Sequence, residues 1–138
     1  MPTIRDVMTC DPRTSDVTST ATDAARIMRD ADVGPVIVLD GDQVRGIITD
    51  RDITVRAVAE GKDPNAIRLD EIITKDVITI GPDDSIEGAI RIMRESAVRR
   101  LPVVEQGRPI GIVSLGDLAI DADGEKALAD ISAAPPNN

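Results

Sequence analysis

Gly46-Ile47-Ile48-Thr49-Asp50-Arg51-Asp52 returns 65 positions later as Gly111-Ile112-Val113-Ser114-Leu115-Gly116-Asp117. Working outward, Ala24-Ala25-Arg26-Ile27-Met28-Arg29 returns at the same offset as Ala89-Ile90-Arg91-Ile92-Met93-Arg94, with no gap between the two matches. A repeat too small to bury its own apolar face has to pack against its copy. The duplication also supplies two copies of one candidate site, which points to binding rather than turnover.

Composition narrows the reading further. A chain of 138 residues suggests one compact domain, here made of two halves. A half of roughly 60 residues buries only about 60% of its unfolded surface, so the two halves are expected to share one core. Apolar residues make up 41% of the chain, and Phe, Tyr and Trp are all absent. A flat ligand would be held between aliphatic side chains, without the ~1–3 kcal/mol per base that aromatic stacking supplies. Histidine is absent as well, which removes the commonest general base and the commonest metal ligand. Cys10 has no intrachain partner and no His to activate it, so it reads as a small structural or semi-exposed residue in a reducing compartment. No catalytic residue, metal site or enzymatic activity is expected. The net charge of −9, from 25 acidic and 16 basic residues, argues against nucleic acid as a partner. Met1-Pro2-Thr3-Ile4-Arg5-Asp6 leads into no apolar stretch long enough for a signal peptide. No run approaches ~18 apolar residues, so no membrane span is expected. The expected location is cytoplasmic.

Each half reads in the same order. Ile4–Met8 and Leu69–Ile73 each suggest one helical turn, with apolar residues at i, i+3 and i+4. Val77-Ile78-Thr79-Ile80 reads as the clearest early strand, closed by Gly81-Pro82, whereas its counterpart Pro12-Arg13-Thr14-Ser15 is much poorer. A helix follows, capped by Asp84 with Glu87 in the second half and by Ser19 in the first. Ile86, Ala89, Ile90, Met93 and Ala97 draw its apolar stripe, repeated in smaller side chains by Ala21, Ala24, Ala25, Met28 and Ala31. Hairpins are expected around Asp40-Gly41-Asp42 and Gln106-Gly107. Pro102 belongs at a strand start or edge, because it cannot donate to a ladder; Ile37 holds the matching place in the first half. The second helix of the first half is expected from Asp50 to about Glu60, stopped by Gly61. The pattern predicts an α/β fold, an α+β sandwich of two β-α-β-β-α repeats with pseudo-twofold symmetry. The domains are expected at 1–64 and 65–125, followed by a C-terminal helical turn and flexible tail at 126–138.

The chemistry sits where each Gly-Ile-apolar-Thr/Ser-x-x-Asp stretch ends a strand and opens a helix. Gly46 or Gly111 would allow a ligand close to the backbone, and the helix start suits phosphate. Thr49 or Ser114 can bond phosphate or ribose, and Asp52 or Asp117 can accept both hydroxyls of a ribose diol. The same spacing also describes a helix cap, with the hydroxyl at the N-cap and the carboxylate near the dipole. Both readings stand, and they are compatible. Arg99-Arg100 has Gly34-Pro35 as its counterpart in the first half. These arginines are the best candidates for local cations beside a polyphosphate, and equally suit a solvated helix end.

With both motifs in register, the chain resembles a tandem pair of cystathionine-β-synthase (CBS) domains, a Bateman module, over nearly its whole length. The openings Ile4-Arg5-Asp6-Val7-Met8-Thr9 and Leu69-Asp70-Glu71-Ile72-Ile73-Thr74, with Arg99-Arg100-Leu101-Pro102-Val103-Val104, add to the likeness. It is similar to the small stand-alone CBS-pair proteins of bacteria. The resemblance implies a regulatory sensor that requires no cofactor and reversibly binds an adenosine-containing ligand in clefts between the repeats. AMP, ADP or ATP head that class, with S-adenosylmethionine and NAD as further members. It implies ribose on Asp52 and Asp117, with Thr49 and Ser114 near ribose or phosphate. Thr79 is implied to contact adenine through its backbone. It also implies a homodimer, head-to-head or head-to-tail, that reports to a partner protein. The competing reading is a dimerisation or scaffold module with no physiological ligand.

Overall fold

Pro102 has no N–H to give, and that decides how far one of the two sheets extends. The computed structural model describes residues 2–73 and 78–121. The chain divides into two compact units, Pro12–Val77 and Met1–Asp11 with Ile78–Asn138.

In the first of these, strand β2 (Thr14–Asp16) lies parallel to β3 (Pro35–Asp40), which is antiparallel to β4 (Gln43–Thr49). The order is β2-β3-β4. Helix α2 (Ala21–Ala31) crosses between β2 and β3, burying Ala21, Ala24 and Met28. Ala25 of the expected stripe is exposed. β4 runs directly into α3 (Asp50–Ile53), which widens into a π-helical turn over Thr54–Val58. The expected helix to Glu60 is therefore a short α-turn followed by a π-turn. Gly61 follows at φ +72°, the left-handed conformation that its stop role requires. A 3₁₀ turn at Leu69–Glu71 closes the unit.

The second unit repeats the plan. Helix α1 (Ile4–Val7) and strand β1 (Thr9–Cys10) come from the start of the chain. Helix α4 (Ile86–Ser96), strands β5 (Arg100–Glu105) and β6 (Arg108–Ser114), and helix α5 (Leu115–Asp121) complete it. The sheet order is β1-β6-β5. Both hairpins carry the same bulge, which leaves Arg45 unpaired in β4 and Ile110 unpaired in β6.

Three expectations need correction. First, each unit has a hydrophobic cluster that draws on both sequence repeats. Ile4 packs with Ile86, Met93, Leu101 and Leu118, while Leu69 and Ile72 pack with Ala21, Met28 and Ile48. The turn that opens each repeat is thus spent on the other repeat, so the spatial units cross the 64/65 boundary read from the sequence. Second, each long helix starts one residue later than expected. Thr20 caps α2 in a reciprocal box with Asp23, and Ser85 caps α4 by accepting from the Gly88 amide. Ser19 and Asp84 are engaged elsewhere: their carbonyls accept from Leu69 N (2.8 Å) and Ile4 N (3.1 Å), holding the exchanged turns. Third, the strand expected at Val77–Ile80 reduces to a single parallel bridge from Ile80 to Val103, with Ile78 and Thr79 outside any strand. Ile80 N donates to Pro102 O and Val104 N donates to Ile80 O, but the next rung would need an N–H on Pro102. Val77 and the 126–138 segment lie outside the described residues.

Candidate functional site

The two Gly-to-Asp stretches fold into the same local structure. In the Pro12–Val77 unit, β4 ends at Thr49, whose backbone is still extended while α3 begins at Asp50. The Thr49 hydroxyl accepts from Asp52 N at 3.2 Å, and Asp52 Oδ2 accepts from Thr49 N at 2.9 Å. In the other unit Ser114 Oγ accepts from Asp117 N at 3.2 Å, and Asp117 Oδ2 accepts from Ser114 N at 2.9 Å. Each junction is therefore a reciprocal capping box. The helix-cap reading of these residues is what the geometry realises.

One oxygen of each carboxylate remains. Among the described residues, neither Asp52 Oδ1 nor Asp117 Oδ1 has a hydrogen-bond partner, and both side chains are only half-buried. Thr49 is 2% exposed and is the one buried polar residue among those described. Its hydroxyl is committed to the cap, which leaves it available mainly as a rigid anchor for Asp52. Ser114 is half-buried and more accessible.

The glycines serve the fold first. A Cβ at Gly111 would lie 2.7 Å from Met8 Sδ and 2.8 Å from the Thr9 carbonyl oxygen. The close approach that this glycine permits is taken by β1 of the same unit rather than left open for a ligand. Gly46 is buried opposite Val38 in the hairpin.

What surrounds each junction differs. Arg100 lies directly across the sheet from Ser114, whereas Pro35 lies across from Thr49. Directly opposed residues of an antiparallel pair put their side chains on the same face. Arg99 holds the start of α5 through its carbonyl, which accepts from Leu115 N at 2.9 Å. Both arginines are half-buried, and neither forms an ion pair among the described residues. The structure thus brings Arg99, Arg100, Ser114 and Asp117 to one sheet end. Thr79 is exposed and precedes the Ile80 bridge.

Sequence reasoning missed a cavity of about 500 Å³ on the Pro12–Val77 unit, lined by Arg45, Arg68, Asp70, Glu71 and Ile73. It contains none of the expected site residues. Both of its arginines are already engaged: Arg68 grips Asp70 through two nitrogens at 2.6 and 3.2 Å, and Arg45 sits 4.0 Å from Asp40. Only the bulge at Arg45 could have signalled it, and bulges leave little trace in sequence. Among the described residues there is no group of three His, Cys, Asp or Glu able to hold a metal ion. No helix among them is long and apolar enough to cross a membrane.

The family model for the CBS domain matches twice, over residues 4–58 and 69–121, with both junctions inside the matches. The chain belongs to the CBS-domain family. It is 35% identical over 121 residues to CBS domain-containing protein YhcV of Bacillus subtilis, covering 88% of this chain and 86% of that one. The crystal structure of Hypoxic Response Protein I with two coordinated zinc ions matches at 33% identity and a TM-score of 0.78, covering 88% of this chain and all of the other. The structure of hexameric CBS-CP12 protein from bloom-forming cyanobacteria matches at 28% identity and a TM-score of 0.78, covering 90% and 74%. The protein is a CBS pair of the regulatory family, and its relative YhcV is a CBS domain-containing protein.

Proposed function

We propose that this CBS pair is a sensor that reversibly binds an adenosine-containing ligand of the AMP, ADP or ATP class, with S-adenosylmethionine and NAD as further members. In this reading each half-buried carboxylate keeps its helix cap with Oδ2 and accepts a ribose hydroxyl with Oδ1. The supporting observation is that Asp52 and Asp117 each have one carboxylate oxygen without a partner among the described residues, at identical positions in two units. Charge-assisted bonds of this kind contribute about 1.5–3 kcal/mol each, and micromolar affinity needs about −8 kcal/mol. Arg99 and Arg100 supply attraction for phosphate at the Ser114 junction, and Thr79 supplies a backbone contact to adenine. A homodimer in the cytoplasm reports occupancy to a partner protein. Family relatives that assemble, such as hexameric CBS-CP12, make association a reasonable output.

Isothermal calorimetry of ligand-free protein with AMP, ATP, S-adenosylmethionine and NADH tests this. Heat from at least one of them, weakened about tenfold or more by Asp52→Ala or Asp117→Ala, is expected. Silence from all four would remove the proposal.

A second reading, a scaffold without a physiological ligand, is favoured by the capping boxes themselves, which account for both motifs in full. It expects Asp52→Ala and Asp117→Ala to lower the melting temperature while leaving every ligand response unchanged.

A further inference from the structure

We propose that Arg56 is a positioning residue that clasps the helical segment behind the Asp52 junction to the 69–73 turn. A change at this junction is thereby passed on to the stretch where the chain leaves the Pro12–Val77 unit, and the Asp117 junction has no such device. The inference rests on the proposed sensor only for what would occupy Asp52; the coupling itself belongs to the ligand-free chain.

The segment that starts at the Thr49–Asp52 box does not stay α-helical. Ala59 N donates to Thr54 O at 2.8 Å and Lys62 N to Ala57 O at 2.9 Å, the wide i→i+5 pattern of a π-turn. Such turns inside helices are rare and frequently mark functional sites. Arg56 lies within this one, and its Nη1 donates to the Ile72 carbonyl at 2.7 Å, across 16 residues of chain. That carbonyl needs a donor. Ile72 is 3% exposed and stands at the C-cap of the 3₁₀ turn Leu69–Glu71. The last carbonyls of a helical turn have no partner within it, and a cationic donor makes a stronger bond to such a group than a neutral one. Four residues beyond Asp52, a guanidinium therefore holds the end of the turn that the second repeat lends to this unit.

The other unit separates this clasp from ordinary packing. In both units the helix after the junction shares a buried cluster with the exchanged turn: Ile53 and Ala57 with Leu69 and Ile72, and Leu115 and Leu118 with Ile4. Packing is thus common to the two. The position 65 residues after Arg56 is Asp121, and an ionised carboxylate has no N–H to give. Helix α5 also runs over Leu115–Asp121 without a π-turn. Loosening the Thr49 box should accordingly be felt at Ile72, whereas loosening the Ser114 box should not be felt at Val7, the equivalent of Ile72. Coupling between two sites is reciprocal, so whatever pulls on the 69–73 turn also biases the Asp52 junction.

Carbonyl-carbon NMR of the ligand-free protein decides it, because the shift of a carbonyl carbon follows the strength of the bond it accepts. Arg56→Met should move the Ile72 carbonyl carbon upfield, as the bond is lost. Thr49→Ala should move it part of the way in the same direction, and should add nothing in the Arg56→Met background. Ser114→Ala should leave the Val7 carbonyl carbon where it is. An Ile72 carbonyl that ignores Thr49→Ala, or that responds to it equally in the Arg56→Met background, overturns the clasp. So does a Val7 carbonyl that answers Ser114→Ala as strongly as Ile72 answers Thr49→Ala. Should Arg56→Met not fold, Thr49→Ala and Ser114→Ala decide by themselves, since neither alters Arg56. No nucleotide is present, so failure of the clasp leaves the calorimetric test of the sensor standing, and silence in calorimetry leaves the clasp standing.

Discussion

Ile37 and Pro102 occupy the same place in the two repeats, and the sheets around them differ accordingly. Ile37 N donates to Arg13 O at 2.8 Å, and the ladder continues through Thr14, Ser15 and Asp16. Pro102 cannot make that bond, and its unit keeps a single bridge at Ile80. The poorer-looking strand sequence, Thr14–Asp16, became the strand, and the better-looking one did not. Strand propensity describes a segment, whereas a ladder needs a partner with a free donor. The same contrast runs to the junctions, where Arg100 faces Ser114 and Pro35 faces Thr49.

The largest effect should come from the exchanged turns. Leu69 is fully buried among residues of the Pro12–Val77 unit. Leu69→Ala should cost about 2–5 kcal/mol in urea denaturation, the usual range for a large core deletion. In hydrogen exchange the lost protection should fall on α2, β3 and β4. Ile4→Ala should do the same to α4, β5 and β6. If either loss instead follows the sequence repeat, the division into crossed units is broken.

The capping boxes give the next effect. Thr49→Ala and Ser114→Ala each remove a hydroxyl cap worth about 0.5–2 kcal/mol. Thr49 is 2% exposed, so water cannot readily replace its bond to Asp52 N, and its loss should fall at the upper end. Ser114 is half-buried, and its loss should fall at the lower end. Equal melting-temperature shifts would show that burial does not distinguish the two junctions.

The repeat, the order of elements, both hairpins and both strand-to-helix junctions were legible because periodicity and turn chemistry are local. Gly41, Gly61 and Gly107 announced their bends, because glycine adopts the positive φ found at each of them without steric cost. What escaped depends on contacts far apart in the chain. Nothing local says that the carbonyls of Ser19 and Asp84 accept from Leu69 and Ile4, which shifts both caps by one residue. Nor does spacing reveal that Gly111 makes room for Met8. For the site, the sequence located Thr49, Asp52, Ser114 and Asp117 correctly at helix starts. It could not decide between cap and ligand, because one Asp has two oxygens and both roles need the same spacing.

A smaller contrast lies at the long helices. The cap of α2 is reciprocal, with Thr20 N donating to Asp23 Oδ2 at 3.0 Å, whereas α4 has Gly88 at the matching position. Bonds from the Thr20 amide and then its hydroxyl hold the Asp23 carboxyl below the usual carboxylate range. A depressed folded value means that this stabilisation is present above the ordinary carboxylate pKa of about 3.9 and is lost as pH falls through the lower folded value. Acid titration followed by amide exchange should therefore loosen the start of α2 through this group, and Asp23→Asn should abolish that pH-dependent part. If the start of α4 shows the same acid response, the box is not its source.

The smallest expected change in stability, and the closest test of the opening comparison, is Pro102→Ile. The substitution restores an N–H at the point where the ladder to Ile78 stops, and a new backbone hydrogen bond contributes about 0.5–1.5 kcal/mol. Removing a proline also frees the unfolded chain, which costs about 0.4–1 kcal/mol. The two nearly cancel, so the urea midpoint should hardly move. The readout is instead the amide at position 102, which should exchange slowly once bonded to the Ile78 carbonyl, as should the Ile37 amide that donates to Arg13. Fast exchange at 102 with an intact fold would mean that the early segment of this unit is kept off the sheet by something other than the proline, and the Ile37–Pro102 contrast would no longer explain the two edges.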